Sequence, residues 1–159
     1  MKIIFNLIIL IIQIFISLVM LFSIYMLFAL LDNDFGFDEL FGLVIIQPIL
    51  AIIFSVITIF VCLLFGLPIR LNSKINDWYR KHSYISIIGL FLGIIMLILA
   101  FIPSFKEFVN YEFDDEVVLK EIPNLFCSIS GWFLIAFSAL HICPPKMVTD
   151  RLQKVFRKK

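Results

Sequence analysis

The chain has 159 residues and a net charge of +1, with 62% hydrophobic and 16% charged side chains. Its mean hydropathy is +1.09. Soluble domains carry about 45–50% apolar and about 25% charged residues, so these proportions exclude an ordinary soluble domain. The near-zero net charge hides a segregation of charge along the chain that also argues against a nucleic-acid partner.

A membrane-crossing helix needs about 20 apolar residues. Four stretches meet that length, at about residues 3–31, 40–67, 84–102 and 122–142. The first is almost uninterrupted. It runs about twice as long as a signal-peptide core and lacks a small-x-small cleavage site, so it is expected to stay as an anchor. The second is broken only by Gln47 and Pro48. Pro103 ends the third; Pro123 opens the fourth, and Pro144 and Pro145 stop it. Proline suits helix ends because it lacks a backbone donor and clashes one turn back.

Orientation is read from the basic residues, which stay cytoplasmic in short loops. Lys2, the middle loop (residues 68–83) and the tail (residues 143–159) together hold eleven of the thirteen Lys and Arg residues. Ten of the twelve acids fall in the other two loops, at residues 32–39 and 103–121. The expected architecture is therefore an all-α, four-helix, multi-pass bundle of the cytoplasmic (inner) membrane with both termini inside. It forms a single membrane domain.

The middle loop, GLPIRLNSKINDWYRKH, places Leu71, Ile75, Trp78 and His82 along one helical face. That pattern predicts a basic amphipathic helix lying in the membrane interface, where Trp prefers the headgroup level. Arg70, Lys74, Trp78, Arg80 and Lys81 are the expected contacts to anionic lipid, each base contributing about 1 kcal/mol near a charged leaflet. The tail repeats the pattern, with Val148, Leu152, Val155 and Phe156 on one side, and Lys154 and Arg157 as further lipid contacts.

Small and polar residues recur on every apolar stretch. The second carries Gln47, Ala51, Ser55, Thr58, Cys62 and Gly66 at intervals of three or four, which places them in one arc of a helix. The first carries Gln13 and Ser17. The third carries Ser86, Gly89 and Gly93, and the fourth Gly131, Ser138 and His141. Lipid supplies little hydrophobic drive between helices, so small residues mark close backbone approach and polar ones mark interhelical bonds. These stripes are expected to be the packing seam of the bundle.

Motifs for chemistry are sparse. No Asp, Glu, Lys or Arg interrupts a span, which argues against a proton route. The three cysteines, Cys62, Cys127 and Cys143, match no zinc or redox spacing and read as small apolar fillers. The loop DNDFGFDEL opens like a calcium loop, but Gly36 stands at the fifth ligand position and Leu43 at the twelfth. No metal and no cofactor is expected. Ser138 and His141 share a face of the fourth helix without any recognisable oxyanion element.

In the second outer loop Tyr111, Phe113, Asp114, Asp115 and Glu116 form an acidic and aromatic surface, the candidate docking site for a partner. The expectation is a non-enzymatic membrane protein that contacts lipid and acts by binding another membrane or secreted protein. Accessory subunits and toxin-immunity proteins are examples of that class. The alternative is a small channel or carrier, a homo-oligomer whose second-span seam lines a pore. A third reading is an intramembrane enzyme using Ser138 and His141.

Overall fold

The computed structural model describes residues 2–31, 41–113 and 116–144. Helix α1 covers Lys2–Leu31 and α2 covers Gly42–Phe65. Two short helices follow, α3 (Leu67–Leu71) and α4 (Ser73–Lys81). Then come α5 (Tyr84–Phe101), strands β1 (Glu107–Phe113) and β2 (Glu116–Ile122), and α6 (Leu125–His141).

Three helices are long and apolar enough to cross a membrane: Asn6–Leu31, Gly42–Phe65 and Tyr84–Phe101. The fourth apolar helix is shorter than the 122–142 stretch predicted for it, with 17 residues, about 26 Å at 1.5 Å per residue. Two local bonds explain where it starts. Ile122 pairs with Glu107 in the strand ladder, and the Asn124 side chain accepts from Cys127 N at 2.9 Å, capping the helix.

The loop between α5 and α6, predicted without secondary structure, holds a β-hairpin within an otherwise helical chain. EFVNYEF and EVVLKEI are rich in β-branched and aromatic residues, and they pair antiparallel from Glu107↔Ile122 to Phe113↔Glu116. The hairpin is fastened to the bundle. Asn124 Nδ2 donates to Glu107 Oε1 at 2.7 Å, Asn124 N donates to Ala100 O at 3.1 Å, and Lys106 pairs with Glu121 at 3.3 Å.

The predicted single loop helix is two. Asn72 is extended between them, and its Oδ1 accepts from Lys74 N and Ile75 N as the N-cap of α4. Proline does not break α2. A π-turn over Gly42–Ile46 leads in, and Pro48 falls in the first turn beyond it, where a missing donor costs least.

Helix α6 is the centre of the bundle and packs against α1, α2 and α5. The core gathers Leu21, Ile59, Cys62, Ala136 and Leu140, flanked by Ile14, Leu18, Leu63, Trp132 and Phe137. A relay crosses it: Trp132 Nε1 donates to Thr58 Oγ1 at 2.8 Å, and Thr58 donates onward to Phe54 O. The outer faces remain apolar and exposed, with Ile16, Phe60, Phe91 and Ile98 all more than half exposed. Such surfaces suit a lipid environment rather than water.

The tightest approach joins α5 to α6. A Cβ added to Gly93 would lie 2.9 Å from Gly131 O, and one added to Gly131 would lie 2.7 Å from Gly93 O. Backbone meets backbone there, so no flexible side chain can yield. Gly93→Leu and Gly131→Leu are each expected to lower the unfolding free energy in mild detergent by at least about 1–3 kcal/mol. Ile88→Leu on the exposed face should stay within about 0.5 kcal/mol. Equal stability of the two classes would show that this contact does not set the helix pair.

Candidate functional site

The end of α6 opposite the hairpin poses a chemical problem that the sequence creates. A helix leaves its last carbonyls without N–H partners, and Pro144 and Pro145 remove the two donors that would have reached Leu140 O and His141 O. In a low-dielectric setting each unmet buried carbonyl costs kilocalories.

Side chains from four other elements meet the need. Arg70 Nη2 on α3 donates to Leu140 O at 3.0 Å, and Ser86 Oγ on α5 donates to His141 O at 3.2 Å. Gln13 Nε2 on α1 donates to Cys143 O at 3.0 Å, and Asn76 Nδ2 on α4 donates to Pro144 O at 3.4 Å. All four side chains are buried. The result is a polar collar around one helix end.

Arg70 therefore does not have the role predicted for it. It was expected to grip anionic lipid, but it is only 9% exposed and spent on the collar. Burial pushes its pKa below the ordinary guanidinium value, although an arginine stays charged at any pH a protein experiences. The negative end of the α6 dipole faces that charge. Lys74, Trp78, Arg80 and Lys81 are exposed as surface groups. Leu71, Ile75 and Trp78 turn away from the protein while Asn76 turns in. Among the described residues, nothing covers the apolar face of α4.

His141 fills the middle of the collar. Its Nδ1 lies 2.8 Å from Phe137 O, its ring stacks on Phe137 with centroids 4.3 Å apart, and Nε2 abuts Gly66 at the end of α2. A side chain on residue 66 would occupy the imidazole's place. Ser138 points elsewhere, against Gly89 of α5. The two candidate catalytic residues of the third reading thus face different helices.

The seam residues lie as follows. Gln13, Ser17, Ala51, Ser55, Thr58, Cys62, Gly66, Ser86, Gly93, Gly131, Ser138 and His141 are buried; Gln47 and Gly89 are half-buried. Gln47 accepts from the Tyr25 hydroxyl at 3.0 Å, which ties the start of α2 to α1. Among the described residues no three His, Cys, Asp or Glu side chains gather as a metal site would require. Cys62 is in the core and His82 stacks on Trp78 at the surface.

Of the docking candidates, Tyr111, Phe113 and Glu116 belong to the strands, where the backbone alone is described. Asp114, Asp115, Lys154 and Arg157 lie outside the described residues. The hairpin's described side chains include Phe108 and Leu119, each 66% exposed. Comparison with protein-family models, with curated proteins and with solved structures returns no match.

Sequence reasoning missed Asn76, Asn124, Tyr25 and Trp132. The Pro144–Pro145 pair was the available signal for the first, since it announces carbonyls in need of donors.

Two variants test the collar. Arg70→Met is expected to lower the unfolding free energy by about 1.5–3 kcal/mol, as for a hydrogen bond from a charged group; Arg80→Met should change it by less than about 0.5 kcal/mol. Gly66→Ala is expected to cost about 1–3 kcal/mol by overpacking, and adding His141→Ala should recover part of that loss. Strict additivity in this cycle would mean that the two residues do not compete for space.

Proposed function

We propose that this chain is a non-enzymatic, four-span protein of the cytoplasmic membrane that works by binding another membrane or secreted protein through its hairpin. The ordered hairpin carries this reading. Most of the molecule's polar interior is engaged in holding helices together, whereas the hairpin is tied down at its base and presents apolar side chains outward. Phe105 and Phe108 are exposed beside β1, and Leu119 on β2. A two-stranded sheet also has two outer edges of backbone donors and acceptors, which suit strand addition by a partner.

In this reading α6 crosses as well, although it is shorter than the other three. At the low end of spanning length it packs against α1, α2 and α5 on one side and keeps Phe126, Ile129 and Phe133 exposed on the other, as an apolar lipid-facing surface would. Both termini face the cytoplasm, following the distribution of Lys and Arg. Lys74, Arg80 and Lys81 then lie on the cytoplasmic surface with the apolar face of α4 toward the lipid, in the manner of an interfacial helix.

The channel reading needs the second-span seam to line a pore between copies. Ala51, Ser55, Thr58 and Cys62 are instead buried inside one chain, so that reading lacks a lining. The enzyme reading lacks a paired Ser138 and His141.

Photo-crosslinking from position 108 or 119 in cells is expected to trap one protein partner. Replacing Asp114, Asp115 and Glu116 together by Asn, Asn and Gln should abolish the adduct and leave the membrane level unchanged. An undiminished adduct would remove the acidic tip from the docking surface. A thiol-reactive, membrane-impermeant reagent should label a cysteine at position 114 in whole cells and one at position 80 only after lysis; the reverse pattern would overturn the orientation.

A further inference from the structure

The hairpin end of the bundle contains an open cleft that packing leaves unfilled. Helix α6 touches α1, α2 and α5, while α1 and α5 do not close on each other near the hairpin. Between them lies a groove of about 350 Å³ lined by Ile24, Leu27, Phe28, Ile94, Ile98 and Phe101, with Ile135 of α6 at its floor. An enclosed apolar cavity of lesser volume already takes up small apolar molecules from water. This groove is larger, and it opens between two helices of membrane-crossing length.

A second cleft of about 250 Å³ adjoins it, lined by Tyr25, Ala29, Gln47 and Pro123 and sharing Phe28 and Phe101. Those two rings stack with centroids 4.5 Å apart and line both clefts. The second cleft is polar where the first is not. Tyr25 donates to Gln47 Oε1 at 3.0 Å, and among the described residues the Gln47 amide nitrogen has no partner. Two N–H donors are therefore left in that cleft.

The local backbone sets this position. The π-turn over Gly42–Ile46 inserts one residue per turn ahead of Gln47, so that Gln47 N reaches back to Gly42 O. Such turns reorient the residues that follow and occur often at functional sites. Tyr25 is six residues from the end of α1 at Leu31, or about 9 Å below that end at 1.5 Å per residue. That depth suits the glycerol esters of a lipid rather than its phosphate. The donors are neutral, which matches ester carbonyl acceptors.

We infer that the paired clefts form a binding site for a single membrane phospholipid, one acyl chain lying between α1 and α5 and its ester carbonyls bonded by Gln47. The inference rests on α1, α2 and α5 crossing a membrane and is independent of what docks on the hairpin. Lipid is the occupant because it surrounds the groove on its open side and alone offers both an apolar chain and carbonyl acceptors at that depth. A helix from a second copy or from a partner would fill the groove but would leave the Gln47 donors unmet.

The test uses the full chain with Trp78→Phe in detergent, so that Trp132 is the only indole; its ring lies 6.4 Å from that of Tyr25. Phosphatidylcholine brominated on its acyl chains is titrated in, since bromine quenches indole at short range. The expected result is saturable quenching by one lipid per chain. Gln47→Leu should raise the half-saturation about tenfold, the scale of one lost hydrogen bond to a buried group. The double variant Ile94→Phe with Ile98→Phe should abolish the saturable phase. Melting of both variants should match the parent. If Gln47→Leu melts early, Tyr25→Phe tests the polar end with its ring packing intact, and it should also weaken binding. Quenching that rises linearly and equally in all variants would mean unspecific lipid contact and overturn the proposal. So would a saturable phase that neither polar variant alters, or protection of Trp132 that follows dimer formation rather than lipid.

Discussion

The carbonyl end of α6 governs the arrangement of the other elements. Two consecutive prolines strip Leu140 O and His141 O of their normal partners, and a carbonyl buried without a donor is costly. Each carbonyl must be met by a donor from elsewhere in the chain. Arg70, Ser86, Gln13 and Asn76 come from four different elements, so satisfying one helix end fixes α1, α3, α4 and α5 relative to it. The constraint is directional in a way that apolar packing between lipid-facing helices is not.

The small residues follow from the same demand. For the collar side chains to reach α6, the helices carrying them must approach it closely. Gly66 gives up its side chain so that His141 can lie against α2, and Gly93 and Gly131 let the α5 and α6 backbones meet. Ser55, Ser86 and Ser138 add little bulk where they are buried. Orientation of the loop helix is a further consequence. With Asn76 pinned to Pro144 O, the α4 face bearing Ile75 and Trp78 turns outward. The protein thus fixes the geometry of an exposed apolar surface from within.

Much of this was readable from the residues. Long apolar runs specify helices of spanning length because the bilayer sets that length, and a three-four spacing of Ala51, Ser55, Thr58 and Cys62 specifies a buried face because a helix repeats every 3.6 residues. Arg70 shows where that reasoning fails. A base beside a span is ordinarily a lipid contact, and its periodicity resembles that of Lys74 and Arg80. The demand that draws it inward arises at Leu140 O, seventy residues away, and local pattern carries no information about such distant pairs. The hairpin was hidden for a related reason. EFVNYEF alternates only weakly, and its strand character becomes definite through pairing with EVVLKEI. That pairing also shortened the fourth helix, by removing Ile122 from it.

The two ends of the bundle use their polar groups differently. At the collar, side-chain donors are consumed by carbonyls of the same chain, and Gly66 and His141 leave no room between them. Atoms that lack a partner there, such as Arg70 Nε and His141 Nε2, are buried beyond the reach of a large ligand. At the hairpin end the balance is reversed. Among the described residues, Gln47 Nε2 has no partner beside a cleft, Phe108 and Leu119 are exposed, and the two strands pair only with each other. Interaction free energy still unspent within the chain is concentrated at that end. A protein whose stability is vested in one end and whose open surface is at the other can bind there without disturbing the contacts that hold it together.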